Sequence, residues 1–446
     1  MRLLFASFVL LSLAPALQSQ ELQLNSLFTD HAVLQQEIPV PVWGVGKPGA
    51  EVQVIFGAQT VKGKVEKDGN WMVILKELTA SAEPAELTVT SGKDTDTVED
   101  ILVGEVWVGS GQSNMAMNVS GTLDAEAMAE EAEGKRFEKI RLFKVPVEGA
   151  DVRMNEVETT WVLPTAENVE RFSATAFYFA RKLSEDRSVP VGIIQSANGG
   201  TNAYSWINSD TLDSDPVAES IRTYWSAALR KHPEAMEKYK AALVKWREKA
   251  AAAKEEGTEL SGRPPREPIG ATHVKRPAGH YNAMIAPLQP YAIRGVIWYQ
   301  GEANSRVPFN TEYKDLMLAL VEDWRADWAT AAGTESAERR DFPFYLVQLP
   351  NYAGGDPEGW PLIREQMLRF WQEGKNTGTV VTIDVGEAND IHPRNKKPVG
   401  ERLATFARGN VYGENLVYSG PIYKSLTISA EKAVVEFDHI GGGLKS

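Results

Sequence analysis

The sequence predicts an α/β fold: a three-layer α/β/α domain on a mostly parallel sheet, preceded by a small β-sandwich and followed by a short β segment. Three observations carry this. Between residues 20 and 98, short β-prone runs are separated by turn residues. From 99 to 412, apolar strand-like runs alternate with segments of helical period. Beyond 412 only β-type patterning returns.

In the first region the runs are Val33-Leu34, Val40 to Trp43, Val52 to Phe56, Trp71 to Leu75 and Leu87 to Thr90, punctuated by Lys47-Pro48-Gly49 and Lys67-Asp68-Gly69-Asn70. That spacing suits a sandwich and brings no cluster of catalytic residue types. In the second region Val103 to Val108, Val189 to Ile194, Ile293 to Tyr299, Phe344 to Leu349 and Thr379 to Ile383 read as strands. Phe172 to Leu183 and Tyr313 to Trp328 carry apolar stripes at helical spacing. Residues 211–278 interrupt the alternation with a charged helical stretch and a Gly/Pro/Arg-rich loop. They read either as a wall beside the site or as a solvated helix. The segment 413–446 is too short for a core of its own. It either completes another sheet, that of the N-terminal region foremost, or is the truncated start of a longer β region.

The first 19 residues read as an export signal. Arg2 precedes an apolar run from Leu3 to Leu13, Pro15 breaks it, and Ala14, Ala16 and Ser19 offer small residues for cleavage. The run is shorter than the roughly 20 residues that span a bilayer, so a secreted or periplasmic protein without a membrane anchor is expected. The chain has 446 residues and no cysteine, which excludes disulfides, a thiolate nucleophile and Cys-based metal sites. A net charge of −13 disfavours nucleic acid and anionic membranes as partners. Some of the 12 tryptophans would suit sugar rings.

Chemistry gathers at the ends of the expected strands, where ligands bind in parallel α/β sheets. Val103 to Val108 runs into Gly109-Ser110-Gly111-Gln112-Ser113-Asn114-Met115. A strand-to-helix turn exposes a serine hydroxyl, although a Gly-x-Ser loop alone is ordinarily just a turn. It is neither the G-x-S-x-G elbow nor a phosphate loop. Its partners raise the reading. His392, in Asp390-Ile391-His392-Pro393, is the best-placed base, and Asp390 stands two residues away to orient it; the bland alternative is an Asx turn beside a surface histidine. Asn198-Gly199-Gly200 and Gln300-Gly301-Glu302 follow two further strands and would add oxyanion donors to the Ser113 N–H. His31, His232, His273, His280 and His439 form no zinc spacing.

At these stretches the chain resembles the sialate O-acetylesterase family within the SGNH hydrolases. The matching segments are Val103 to Met115, Asn198 to Trp206, Tyr281 to Leu288, Gly295 to Asn304, Asp323-Trp324-Arg325, Phe344 to Leu349 and Asp390 to Asn395, spread over residues 25–440. The resemblance implies an SGNH-hydrolase-like esterase domain that removes acetyl groups from carbohydrate, with no metal or organic cofactor. It puts the nucleophile on Ser113, the base on His392 and a backbone donor on Gly200, with Gly199 the nearest alternative. Gln300 occupies the region where many SGNH enzymes have Asn. Asp390 is the favoured acid, and Glu302 is the carboxylate some acetylesterase relatives use instead. Asn389 stands where the family often has Asp, and Asn198 stands where Trp is frequent. Relatives of this kind also deacetylate plant polysaccharides such as xylan. An acetyl xylan esterase is therefore the alternative, and a non-catalytic carbohydrate-binding protein the rival class.

Overall fold

The computed structural model describes residues 21–258, 262–333 and 341–444. The expected export signal, residues 1–19, lies outside them. The N-terminal strands are β1 (Gln23–Leu24), β2 (Val33–Gln35), β3 (Val40–Val45), β4 (Glu51–Phe56), β5 (Gln59–Lys64), β6 (Asn70–Leu75) and β7 (Ser81–Ser91). β1, β3 and β6 form an antiparallel sheet, while β4 pairs antiparallel with β5 and β7. β4 and β6 alternate in burial, so Val52, Val54, Phe56, Trp71, Val73 and Leu75 point into the core and the residues between them do not.

Strand β8 (Asp94–Gly111) is 18 residues long and serves both regions. Its first half pairs antiparallel with β7; from Glu105 onward it pairs parallel with β11 (Val191–Ala197), and from Trp107 also with β12 (Gly295–Tyr299). The boundary expected at residue 98 thus falls inside a strand. With β9 (Ile140–Lys144), β10 (Trp161–Val162), β13 (Phe344–Val347) and β14 (Thr377–Val380), the order is β10-β9-β11-β8-β12-β13-β14. The pairs from β9 to β14 are parallel, and β10 is antiparallel at the edge. β11, β12, β13 and β14 are buried along their whole length, as a sheet covered on both faces requires.

The helices are α1 (Ser113–Ala116), α2 (Ala125–Glu133), α3 (Ala166–Glu170), α4 (Ala174–Arg187), α5 (Ser209–Ser214), α6 (Glu219–Glu255), α7 (Phe309–Ala331), α8 (Gly359–Glu373) and α9 (Lys397–Asn410). α4 and α9 cover one face, packing Phe179 and Phe406 with Trp107, Ile297 and Tyr345. α7 and α8 cover the other, where Trp324, Met367 and Phe370 join Val108, Trp298 and Phe344. Alternate residues of each strand divide between the two cores, which is the period of two acting in a doubly covered sheet.

Two expectations change and one open reading narrows. The strand expected over Thr379 to Ile383 ends at Val380, because Thr382 Oγ1 donates to Gln348 O at 2.6 Å and turns the chain away. Helix α6 buries only Ile221 of its 37 residues, so its body is solvated, as the second reading of this stretch has it. The C-terminal strands β15 (Ile422–Ser429) and β16 (Lys432–Asp438) pair with each other as a hairpin and do not complete the N-terminal sheet. No helix among the described residues is long and apolar enough to cross a membrane.

Candidate active site

In the sheet order β8 is flanked by β11 on one side and β12 on the other, so successive crossovers leave in opposite directions from it. Such a switch point opens a crevice beyond the carboxyl ends of the strands. Gly111 pairs with Ala197 and with Tyr299, which brings the segments beginning at Gln112, Asn198 and Gln300 out at one edge. Gln112 N–H donates to Tyr299 O at 2.9 Å and Asn198 N–H to Gly111 O at 3.1 Å, fixing the three against each other. Gly111 has φ +130°, and a Cβ there would lie 2.3 Å from Tyr299 O; only glycine fits this corner. Ser113 follows it, partly exposed, at the start of α1. A Cβ on Gly199 would sit 3.4 Å from Ser113 Cβ, so the second strand-end segment runs directly past the serine. Gly200 follows in the left-handed region at φ +66°.

Gln300 does not match its expected role as a free amide donor. Its Nε2 donates to Thr201 O (3.1 Å) and Asn304 Oδ1 (2.8 Å), which uses both hydrogens. Tyr313 Oη lies 3.0 Å from its Oε1. The side chain is fully buried and braces the second and third segments against each other. Asn304 is equally buried; its Oδ1 also accepts from Ala203 N–H at 3.0 Å, and its Nδ2 has no hydrogen-bond partner. Sequence reading passed over Asn304, because nothing local told which of two nearby amides would be consumed.

The loop after β14 carries His392. Asp390 Oδ1 accepts the His392 backbone N–H at 2.8 Å, an Asx turn, and lies 3.9 Å from His392 Nδ1. Both features read from the sequence are therefore present in one turn: the carboxylate closes it and faces the ring, beyond hydrogen-bond length. Burial lowers the His392 pKa, Asp390 raises it, and Lys396 and Arg263 lower it further. Glu302, the other candidate acid, is buried and hydrogen-bonded elsewhere: Asn114 Nδ2 donates to its Oε1 at 2.5 Å, and its Oε2 has no hydrogen-bond partner. Burial raises the Glu302 pKa.

Asn114 is the hub that the sequence did not reveal. Besides Glu302, its Nδ2 reaches Ile391 O at 2.9 Å, and its Oδ1 accepts from Lys396 Nζ at 2.5 Å. Arg394 adds hydrogen bonds to Gly121 O (3.0 Å) and Thr122 O (3.2 Å). The histidine loop is thereby tied both to α1 and to the segment that follows it. In sequence Lys396 is half of a Lys-Lys pair and reads as surface charge, yet it is 1% exposed.

The loop returning from the insertion reaches the site. Lys275 Nζ donates to Gly199 O at 2.6 Å, and Arg263 is near enough to His392 to depress its pKa. His280 is buried beneath Asn198, with Nε2 2.7 Å from Asn198 Nδ2 and its ring 4.7 Å from that of Trp206. Burial holds its pKa down to about 3, with Lys275, His273 and Arg276 adding to the effect. The ring is neutral, and Asn198 donates to it. Among the described residues, no group of three or more His, Asp or Glu side chains is arranged to hold a metal ion.

A family model described as "Carbohydrate esterase, sialic acid-specific acetylesterase" matches residues 268–407. The chain is 31% identical to the sialate O-acetylesterase of Mus musculus over 93% of its own length and 78% of the relative's. For the Homo sapiens protein of the same name the figures are 29%, 93% and 76%. Among solved structures, a carbohydrate acetylesterase from Xanthomonas citri superposes with a TM-score of 0.73 at 32% identity, covering 93% of this chain and 81% of that one.

Proposed function

Because this chain belongs to the sialate O-acetylesterase family and is a carbohydrate O-acetylesterase, we propose that its turnover runs through an acetyl-Ser113 intermediate, with O-acetylated sialic acid as substrate. His392 takes the Ser113 proton as the hydroxyl attacks the acetyl carbonyl, and Asp390 orients the imidazole and offsets its charge. The N–H groups of Ser113 and Gly200 hold the oxyanion. Asn304 Nδ2, the unpartnered amide of the third strand-end segment, takes the third donor role first expected of Gln300. His392 then returns the proton to the leaving sugar alkoxide, and water activated by the same ring releases acetate.

The observation that carries this reading is the register of β8 between β11 and β12, which delivers Ser113, Gly199-Gly200 and the segment from Gln300 to Asn304 to one strand-end edge. The long His392–Asp390 contact is compatible with it, since catalytic hydrogen bonds often tighten only around bound substrate. A peptide carrying Ser113 should gain the mass of one acetyl group when the enzyme is quenched during turnover. Acetate release from acetylated sialic acid, acetylated xylo-oligosaccharides and acetylated peptidoglycan fragments, compared by kcat/KM, tests the substrate. A preference for the xylan or peptidoglycan fragments would reject sialic acid and keep the esterase.

A further inference from the structure

Lys396 and Glu302 are a buried amine and a buried carboxyl group, and neither touches the other. A single amide, Asn114, stands between them. Lys396 Nζ donates to Asn114 Oδ1, and Asn114 Nδ2 donates to Glu302 Oε1, both at 2.5 Å. A cation on the oxygen side of an amide polarises it and strengthens the donor at the other end, and in a low-dielectric interior the effect is largest. The second Asn114 hydrogen holds Ile391 O, the residue before His392. One side chain, adjacent to the serine, thus joins the nucleophile turn, the third strand-end segment and the histidine loop.

We propose that Lys396 is a positioning residue for the hydrolysis: its ammonium, acting through Asn114, locks the Ser113 turn to Glu302 and to the His392 loop. Burial lowers its pKa to about 8 against the opposing pull of Glu302, Asp390 and Glu387, and the Tyr299 ring lies 5.2 Å from Nζ. His392 is faced by Asp390, Lys396 and Arg263, and the Lys396 charge disfavours the imidazolium. The cation therefore orders the loop and adds to burial in lowering the His392 pKa.

The inference rests on Ser113 and His392 being the reacting pair. Ser113→Ala decides that first: retained turnover would remove the reading itself. The Lys396 variants are read on the active enzyme with 4-nitrophenyl acetate, separating kcat from KM across about pH 5.5 to 9.5. Lys396→Met keeps the volume and removes the charge. We expect kcat to fall roughly 10- to 100-fold with KM within about twofold. The acid limb of kcat/KM should move to higher pH, because the cation no longer depresses His392. A folded methionine variant with wild-type kcat and an unmoved acid limb would overturn the proposal. Should that variant not fold, Lys396→Arg reads the same point, because a guanidinium keeps its charge throughout. Wild-type kcat should decline as pH rises through about 8, and the arginine variant should hold its own kcat over that range. A decline of the same shape in both would also overturn it.

Discussion

On one side of Ser113, Asn114, Glu302 and Lys396 are buried and joined by hydrogen bonds of 2.5 Å; on the other, His392 and Asp390 keep side-chain exposures of 43% and 49% and stand 3.9 Å apart. The first cluster sits where the local dielectric is low and polar contacts are strong but costly to break. The second sits where water competes and a charge pair is worth little until something excludes the solvent. The difference suits the proposed division of labour. The nucleophile has to be held still, whereas the base has to accept a proton from one oxygen and deliver it to another. Its pairing with Asp390 would tighten when a sugar covers the loop.

The sharpest way to break the comparison is Ser113→Ala. Acetate release should fall by at least about 10³-fold with the melting temperature unchanged, measured on any accepted ester. Gly111→Ala attacks the buried side from beneath. A Cβ 2.3 Å from Tyr299 O, at φ +130°, should destabilise the fold by ~3 kcal/mol, read from the denaturant midpoint. The two carboxylates then separate the halves. Asp390→Asn should lower kcat about 10²-fold with little change in melting. Glu302→Gln, which leaves Lys396 buried without its counter-charge, should cost roughly 1–3 kcal/mol of stability and less in kcat. The reverse ranking would make Glu302 the acid that orients His392.

The last effect, read against pH, concerns His280. Its folded pKa of about 3 lies below the ordinary value of 6.5, so between these the unfolded chain binds the extra proton. Stability contributed by the neutral ring is present above 6.5 and is lost as pH falls toward 3. Asp323, raised to about 6 by burial, works in the opposite sense between 3.8 and 6. The readout is therefore the difference between wild type and His280→Gln. The variant should lose less stability on acidification, seen as a shallower fall of melting temperature with pH; parallel curves would reject the assignment.

Much of the fold could be read before the structure because its causes are local. Largely apolar runs such as Phe344 to Leu349 mark strands buried on both faces, and the stripe from Tyr313 to Trp328 marks a helix with one buried side. Thr379 to Ile383 was read too long because its β-prone residues say nothing of the hydrogen bond from Thr382 to Gln348 O that ends the strand. The extent of β8 was hidden for a related reason: only its partners reveal that the strand entering the N-terminal sheet and the strand leading to Ser113 are one.

Ser113, His392 and their neighbours were legible through residue type and place at strand ends, together with the family resemblance. Which amide would be free was not. Gln300 and Asn304 offer the same chemistry four residues apart, and only packing consumed one and left the other. Nor could spacing show that Lys396 is buried against Asn114, 282 residues away. The sequence by itself determined the alternation of strands and helices and the kinds of group available at their ends, because propensity and hydrophobic period act over a few residues. Tertiary structure alone decided which polar groups are spent on one another and which stay free, because that depends on contacts between segments far apart in the chain and on the water excluded when they meet.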